Sequence, residues 1–275
     1  MSEYHDLTTA VYDTLALLDE TEYSWIYGYL SSLTGDDGEV TASPYTIATT
    51  LLAQREPSYY PAILLDFIVE LLQMEIEGGN DDAMNTLGAL YYDGKRGFEQ
   101  SYEQAVRYYT MAAEQGNQLA AENLGYCYYY GRVGEPDYEK AFHCFAQGAF
   151  AGQLVSLYKI GDMYRGGLYV RKNEVEAFRI YMRCVNSMEQ QDELRVAGPV
   201  YLRLGWMFLE GKGTPQDFKG ALASFQRAEW FLYEMVESGE TMYRKSLADA
   251  IRGQEMARRK LGELLPPEPW EYAGE

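Results

Sequence analysis

The amino-acid sequence predicts an all-α fold, a solenoid of stacked helix-turn-helix repeats. Three observations support it. One frame of small and aromatic residues recurs four times between about residues 83 and 231. Its apolar, glycine and aromatic positions fall at i, i+1 and i+4, which places them on one face of a helix. An N-cap residue type also stands four residues before the same alanine in every copy.

The first copy reads Leu87-Gly88, Tyr91 and Gly94, then Tyr102, Ala105, Tyr109 and Ala112. The second reads Leu124-Gly125, Tyr128 and Gly131, then Tyr138, Ala141, Phe145 and Gly148. The third reads Ile160-Gly161, Tyr164 and Gly167, then Ala177, Tyr181 and Cys184. The fourth reads Leu204-Gly205, Phe208 and Gly211, then Phe218, Ala221, Phe225 and Ala228. The paired glycines are always six apart, and the first precedes the alanine by 17, 16, 16 and 16 residues. The first glycine, lacking a Cβ, lets a neighbouring helix approach closely, a gain that must exceed its cost of about 1 kcal/mol relative to alanine. The aromatic three residues after it then fills the space beside it. The second glycine ends the helix by taking the left-handed conformation. Ser101, Asp137, Asn173 and Asp217 start the second helix by accepting bonds from its unpaired N–H groups. The alanine of that helix permits close packing, and the aromatic four residues on anchors the interface.

Residues 1–57 lie outside the frame. There Leu7, Val11, Tyr12 and Leu15 keep helical spacing, as do Ile47, Leu51 and Leu52 after a Ser43-Pro44 start, with Gly35-Asp36-Asp37-Gly38 as a loop between. They predict an N-terminal helical cap covering the apolar face of the first repeat. Residues 58–79 read as the second helix of a degenerate repeat, because Gly79-Asn80 matches Gly116-Asn117 at a 37-residue offset. Residues 80–237 hold the four repeats. Their first glycines are 37, 36 and 44 residues apart, so the third connection is longer by about eight residues, around Asn186 to Val196. Gly116 and Gly152 end the first two second helices. The fourth, with no glycine there, runs on through Trp230, Phe231 and Tyr233.

Residues 238–264 form a C-terminal capping helix, from about Thr241 to Leu264. It carries Leu247, Ile251 and Leu261 together with Arg244, Lys245, Arg252, Arg258, Arg259 and Lys260. Two readings of that basic face stand, a solvated surface or an internal dock for acidic repeats. Residues 265–275, which include Pro266-Pro267-Glu268-Pro269, read as a flexible tail.

The frame, Leu-Gly-x-x-Tyr-x-x-Gly followed by Asp-Tyr-x-Lys-Ala, resembles the Sel-1-like repeat family, relatives of the tetratricopeptide repeats. The match is best over Asn123 to Gly152 and loosest in the third copy, where Val170 replaces the family's loop glycine. The resemblance covers a little over half the chain. It implies α/α hairpins stacked into a right-handed superhelix, first helices lining the concave surface, and a role as an adaptor in multiprotein assemblies. A bacterial, cytoplasmic member is expected. Some secreted relatives carry a disulfide in every repeat and have been linked to β-lactam binding; their cysteine pair is absent here, so that activity does not carry over.

Composition narrows the function further. Forty-two acidic residues against 23 basic ones give a formal charge of −19, which repels phosphate backbones and anionic lipid alike and argues against nucleic acid and membrane partners. No apolar run approaches the length of a membrane span. The N-terminal residues Met1 to Asp6 carry acids where a secretory signal would carry lysine or arginine, and three irregularly spaced cysteines form no disulfide framework; both point to the cytoplasm.

No catalytic constellation emerges, so the chain reads as no enzyme, with no cofactor and no metal. His5 and His143 are too few for a multi-histidine site or a triad. Gly211-Lys212-Gly213-Thr214 has the wrong glycine spacing for a phosphate loop and lacks a serine or threonine after the lysine. Carboxylate pairs such as Asp81-Asp82, or Glu189 with Asp192 or Glu193, read as solvated faces. Cys127 and Cys144 read as small buried hydrophobes.

With 100° per residue, the face opposite the packing positions of the first helices carries a second set. It comprises Tyr92, then Tyr126, Tyr129 and Tyr130, then Tyr158 and Arg165, then Leu202, Trp206 and Leu209, bordered by Asp93, Glu122, Asp162 and Glu210. Tyrosine and tryptophan supply large contact area at low entropic cost. This strip predicts a concave groove for a protein or peptide, basic at its edges and apolar at its anchors. Its alternatives are coverage by the N-terminal region, a homodimer or other self-association, and a small-molecule or hydrolytic site in the same groove.

Overall fold

The computed structural model describes residues 6–20, 22–35, 38–54, 60–191 and 194–264, with the side chains of 189–191 set aside. His5, Asp36, Asp37, the Glu189–Asp192–Glu193 carboxylates and the expected tail at 265–275 lie outside that description. The described residues form thirteen α-helices and two short 3-10 turns, the all-α hairpin class expected. They divide into two compact units, Met1–Asp137 and Tyr138–Glu275.

The first unit contains α1 (Leu7–Leu17), α2 (Ser24–Ser32), α3 (Pro44–Ala53), α4 (Ala62–Glu77), α5 (Asp81–Asp93), α6 (Tyr102–Glu114) and α7 (Gln118–Tyr129). Asp6 caps α1 by accepting from the Thr9 amide, and Ser43 caps α3 by accepting from Thr46, with Pro44 in the first turn. Helix α2 is a departure from expectation. Its segment, Ser-Trp-Ile-Tyr-Gly-Tyr-Leu-Ser-Ser, holds few strong helix formers, but Ile26 and Leu30 are buried and hold it in place. A core runs from Val11, Leu30 and Ile47 through Leu64, Ile68, Leu71 and Leu72 to Leu87. Tyr60 ties the segment after α3 to the α5–α6 turn: its hydroxyl donates to the Leu51 carbonyl (2.6 Å), its amide donates to the Arg96 carbonyl (2.9 Å), and the Arg96 guanidinium donates to the same hydroxyl and to the Gln54 carbonyl.

The second unit contains α8 (Tyr138–Phe150), α9 (Leu154–Gly166), α10 (Glu174–Gln191), a 3-10 turn (Leu194–Val196), α11 (Ala197–Glu210), α12 (Phe218–Glu237), a second 3-10 turn (Thr241–Tyr243) and α13 (Arg244–Leu264). The extra residues of the third connection are largely helical: they lengthen α10 to 18 residues and add the 3-10 turn. Helix α12 does run on, to Glu237. Helix α13 packs on α12 and α11, burying Ala250, Gly253, Gln254 and Ala257. Among the described residues no helix is long and apolar enough to cross a membrane.

Two contacts repeat with the frame. The amide of each N-cap residue donates back to the carbonyl of the first-helix aromatic: Ser101 to Tyr91 (2.9 Å), Asp137 to Tyr128 (3.0 Å), Asn173 to Tyr164 (2.9 Å) and Asp217 to Phe208 (2.9 Å). This clamp fixes the angle at which every hairpin folds back. The second contact is at the first glycine, and it corrects the expected partner. The second-helix ring lies on the glycine, so a Cβ on Gly88 would lie 2.8 Å from Tyr109, one on Gly161 2.7 Å from Tyr181, and one on Gly205 2.6 Å from Phe225. The first-helix Tyr91 stacks on Tyr108 instead, at 5.8 Å. Gly94, Gly131, Gly167 and Gly211 have φ between 59° and 70°, the left-handed geometry expected at each first-helix end.

Candidate partner-binding surface

In the first unit the predicted tyrosines come together at the C-terminal ends of α5 and α7. Tyr92 and Tyr102 meet edge to face at 5.2 Å, Tyr126 stacks on Tyr130 at 6.0 Å, and Tyr129 meets Tyr130 edge-on at 5.0 Å. Successive turns of α7 account for the Tyr126–Tyr130 pair, since residues four apart share a face. Tyr92, Tyr126 and Tyr129 are half-buried, whereas Tyr130, the C-cap of α7, is 50% exposed.

A residue that the helical wheel did not include organises this cluster. Arg132, one position beyond Gly131, lies over the rings of Tyr92 (5.4 Å), Tyr102 (5.1 Å) and Tyr130 (5.5 Å), and its Nε donates to the Tyr92 hydroxyl at 3.0 Å. The ring faces attract the guanidinium through their quadrupoles. Burial raises the Tyr92 pKa, and the Arg132 bond and charge lower it only in part, so the hydroxyl remains protonated at neutral pH. Asp93 is exposed and paired with Lys95 at 2.7 Å, while Glu122 is buried in α7 and does not border the surface as an open carboxylate.

In the second unit the predicted strip is mostly interior. Leu202 and Leu209 belong to the hydrophobic core, because α11 is packed by α10, α12 and α13 together; Tyr158 of α9 is buried in the same core, with the Arg203 guanidinium 4.9 Å over its ring. Asp162 is likewise buried: Arg203 binds it through Nε and through Nη2 (2.6 Å), and the Tyr181 hydroxyl donates to it at 2.6 Å. Burial alone would raise the Asp162 pKa, but Arg203 foremost, then Lys159 and the Tyr181 hydroxyl, hold it below the usual carboxylate range. Trp206 is half-buried, edge-on to Phe225 at 5.1 Å and beneath Arg252 of α13 at 5.4 Å. Arg165 is half-buried at the end of α9, and Glu210 is exposed and paired with Lys212 at 2.7 Å. The basic face of α13 is largely solvated, with ion pairs inside the helix: Arg252 with Asp249, and Lys260 and Arg259 with Glu263.

Among the described residues no group of three or more His, Cys, Asp or Glu side chains is arranged to hold a metal ion. His143 is exposed, near Phe142 and Tyr169. Cys127 and Cys184 are buried as small hydrophobes, and Cys144 is half-buried.

Helical hairpins closed by a ring on a glycine and by a backbone clamp, repeated in tandem, define a helix-turn-helix repeat protein. The chain carries Sel1 repeats: that family's sequence profile matches residues 81–117, 118–152, 154–181 and 199–228. It is similar to the putative sel1-like repeat-containing protein L21 of Acanthamoeba polyphaga mimivirus, 28% identical over 58% of this chain and 27% of that protein. It is also similar to HRD3B of Arabidopsis thaliana, described as an ERAD-associated E3 ubiquitin-protein ligase component, 30% identical over 38% of this chain and 16% of that one. The chain thus spans about a quarter or less of these curated relatives. Two solved structures share the fold. A Sel1 repeat protein from Oxalobacter formigenes has a TM-score of 0.56 at 19% identity, covering 79% of this chain and 97% of its own. The antigen c5321 of uropathogenic Escherichia coli has a TM-score of 0.56 at 21% identity, covering 95% of this chain and 56% of its own.

Proposed function

We propose that this protein is a non-enzymatic, cytoplasmic adaptor whose first unit holds a protein or peptide partner on the Tyr92–Tyr126–Tyr129–Tyr130 surface. The observation that carries the proposal is the seating of Arg132 on three tyrosine faces with Tyr130 half open to solvent. A surface that accepts its own guanidinium in this way has the chemistry to accept a basic side chain of a partner beside an apolar anchor. The acidic balance of the chain favours a basic partner and disfavours nucleic acid and anionic membranes. Relatives named as components of a ubiquitin ligase complex support an assembly role over catalysis.

The test is the Tyr126→Ala/Tyr130→Ala double variant, compared with the parent chain in affinity capture and thermal melting. Loss of the captured partner with melting unchanged supports this surface. A partner retained by the variant, or a melting temperature lowered by more than several degrees, would place the two rings in structure and overturn the reading.

A further inference from the structure

The second unit contains a cavity that the repeat frame does not require. About 510 Å³ in volume, it is lined by Met188, Leu194, Tyr201, Arg227, Trp230 and Phe231. One wall comes from the insertion: Met188 from the extended end of α10 and Leu194 from the 3-10 turn after it. The opposite wall is the face of α12 that carries Arg227, Trp230 and Phe231. Its lining is aromatic and ordered, with Phe231 stacked on Tyr201 at 6.2 Å and Trp230 edge-on to Phe231 at 4.7 Å. Trp230 is nonetheless 59% exposed. The charge at the site is positive in an acidic protein, because the Arg227 guanidinium sits 5.2 Å over the Tyr201 ring and donates to its hydroxyl at 3.1 Å.

We propose that this cavity receives the chain's own segment 265–275, with Trp270 or Tyr272 as the anchor and Glu268 and Glu271 toward Arg227. Charge and shape complement each other: the segment is aromatic and acidic, with two aromatics and three glutamates among eleven residues, and the site is aromatic and cationic. Reach also permits it. Helix α13 returns antiparallel along α12, with Gly253 against Phe225 and Gln254 donating to Glu229. Leu264 lies 11 residues beyond Gly253, and Arg227 two residues beyond Phe225 in the opposite direction, a separation of about 20 Å along the helices at 1.5 Å per residue. Six extended residues bring Trp270 up to about 20 Å from Leu264, and eight bring Tyr272 to about 26 Å. Pro266, Pro267 and Pro269 reduce the entropy lost when the segment is seated. A short tether supplies an effective concentration of about 1 mM, so an intrinsic dissociation constant of about 0.1 mM already fills the site roughly ten to one.

The experiment uses the full chain, a chain ending at Leu264, and a labelled synthetic peptide of residues 265–275. The shortened chain is expected to bind the peptide, and the full chain to bind it about ten-fold more weakly because its own segment competes. Arg227→Glu and Trp230→Ala, both at exposed side chains, are each expected to weaken peptide binding to the shortened chain while leaving its melting temperature within a few degrees. A peptide that binds neither chain, or both equally, overturns the proposal. So does a full chain that is dimeric by light scattering and becomes monomeric on shortening, which would seat the segment on a second copy.

Discussion

At Gly205 an added methyl group would stand 2.6 Å from the Phe225 ring, and the ring has little room to withdraw because Gly253 of α13 also lies against its Cδ1–Cε1 edge, where an added Cβ would fall 2.5 Å away. Gly205→Ala is therefore expected to lower stability by about 1–3 kcal/mol, as overpacking does in a filled core. Gly28 is the contrast: it sits within α2 with nothing near its missing Cβ, so Gly28→Ala should raise stability by about 0.5–1 kcal/mol. Urea unfolding of the two variants, read as midpoint shifts of opposite sign, checks both. The Asp162–Arg203 pair gives a pH-dependent case. A carboxylate held below its unfolded pKa contributes its full stability above about pH 4 and loses it as the pH falls further. Arg203→Met removes the group that outweighs burial, so Asp162 is then easier to protonate and the variant becomes less stable as the pH rises. It should lose about 3–5 kcal/mol at pH 7 and less at pH 5, measured by urea unfolding at both values. The same residue shows why the site was only half legible. A helical wheel assumes one packed face, which holds where α7 ends in Tyr130 but fails for α11, enclosed on three sides. Arg132 lies outside the wheel because the wheel stops at the glycine that ends the helix, although the sequence shows a cation next to Tyr128-Tyr129-Tyr130-Gly131.

Helices with a periodic frame were readable because each boundary has a local chemical cause. The N-caps predicted at Ser101, Asn173 and Asp217 accept the expected amides, those of Gln104, Glu176, and Lys219 with Gly220. Asp217→Ala leaves two amides without that acceptor and is expected to lower stability by about 1 kcal/mol, with Ser101→Ala comparable or smaller, as followed by helical circular dichroism through urea unfolding. The glycine Cβ contacts set the spacing of the hairpins, and the alanine and ring of the second helix follow from it. Helix α2 was not readable, since its stability comes from Ile26 and Leu30 meeting residues distant in sequence, a source that propensity does not register. The length and place of the insertion are legible from the repeat spacing, whereas its helical form is not. Asn186 to Gln191 carry no helix-stop glycine or proline, and the chain uses them to extend α10 and build a cavity wall.

At the scale of the whole chain, the two units have separate cores, one gathered around Leu64, Ile68 and Leu71 and the other around Tyr181, Leu204 and Phe225. In arrays whose repeats contact only their neighbours, stability is close to a sum of local terms, so damage in one unit need not spread at equal strength to the other. Two buried cysteines report on the units separately: Cys127 in the first and Cys184 in the second. Burial pushes the Cys184 thiol up to about 12, so in the folded unit it is almost entirely the unreactive protonated form at pH 8. In the Gly205→Ala chain, Cys184 is expected to become labelled by a maleimide at lower urea than in the parent, while the urea dependence of Cys127 labelling moves much less. Mass spectrometry of the labelled peptides separates the two sites in one sample. Equal displacement of both labelling curves would mean that the units unfold as one, and the local accounting of stability would then fail for this chain.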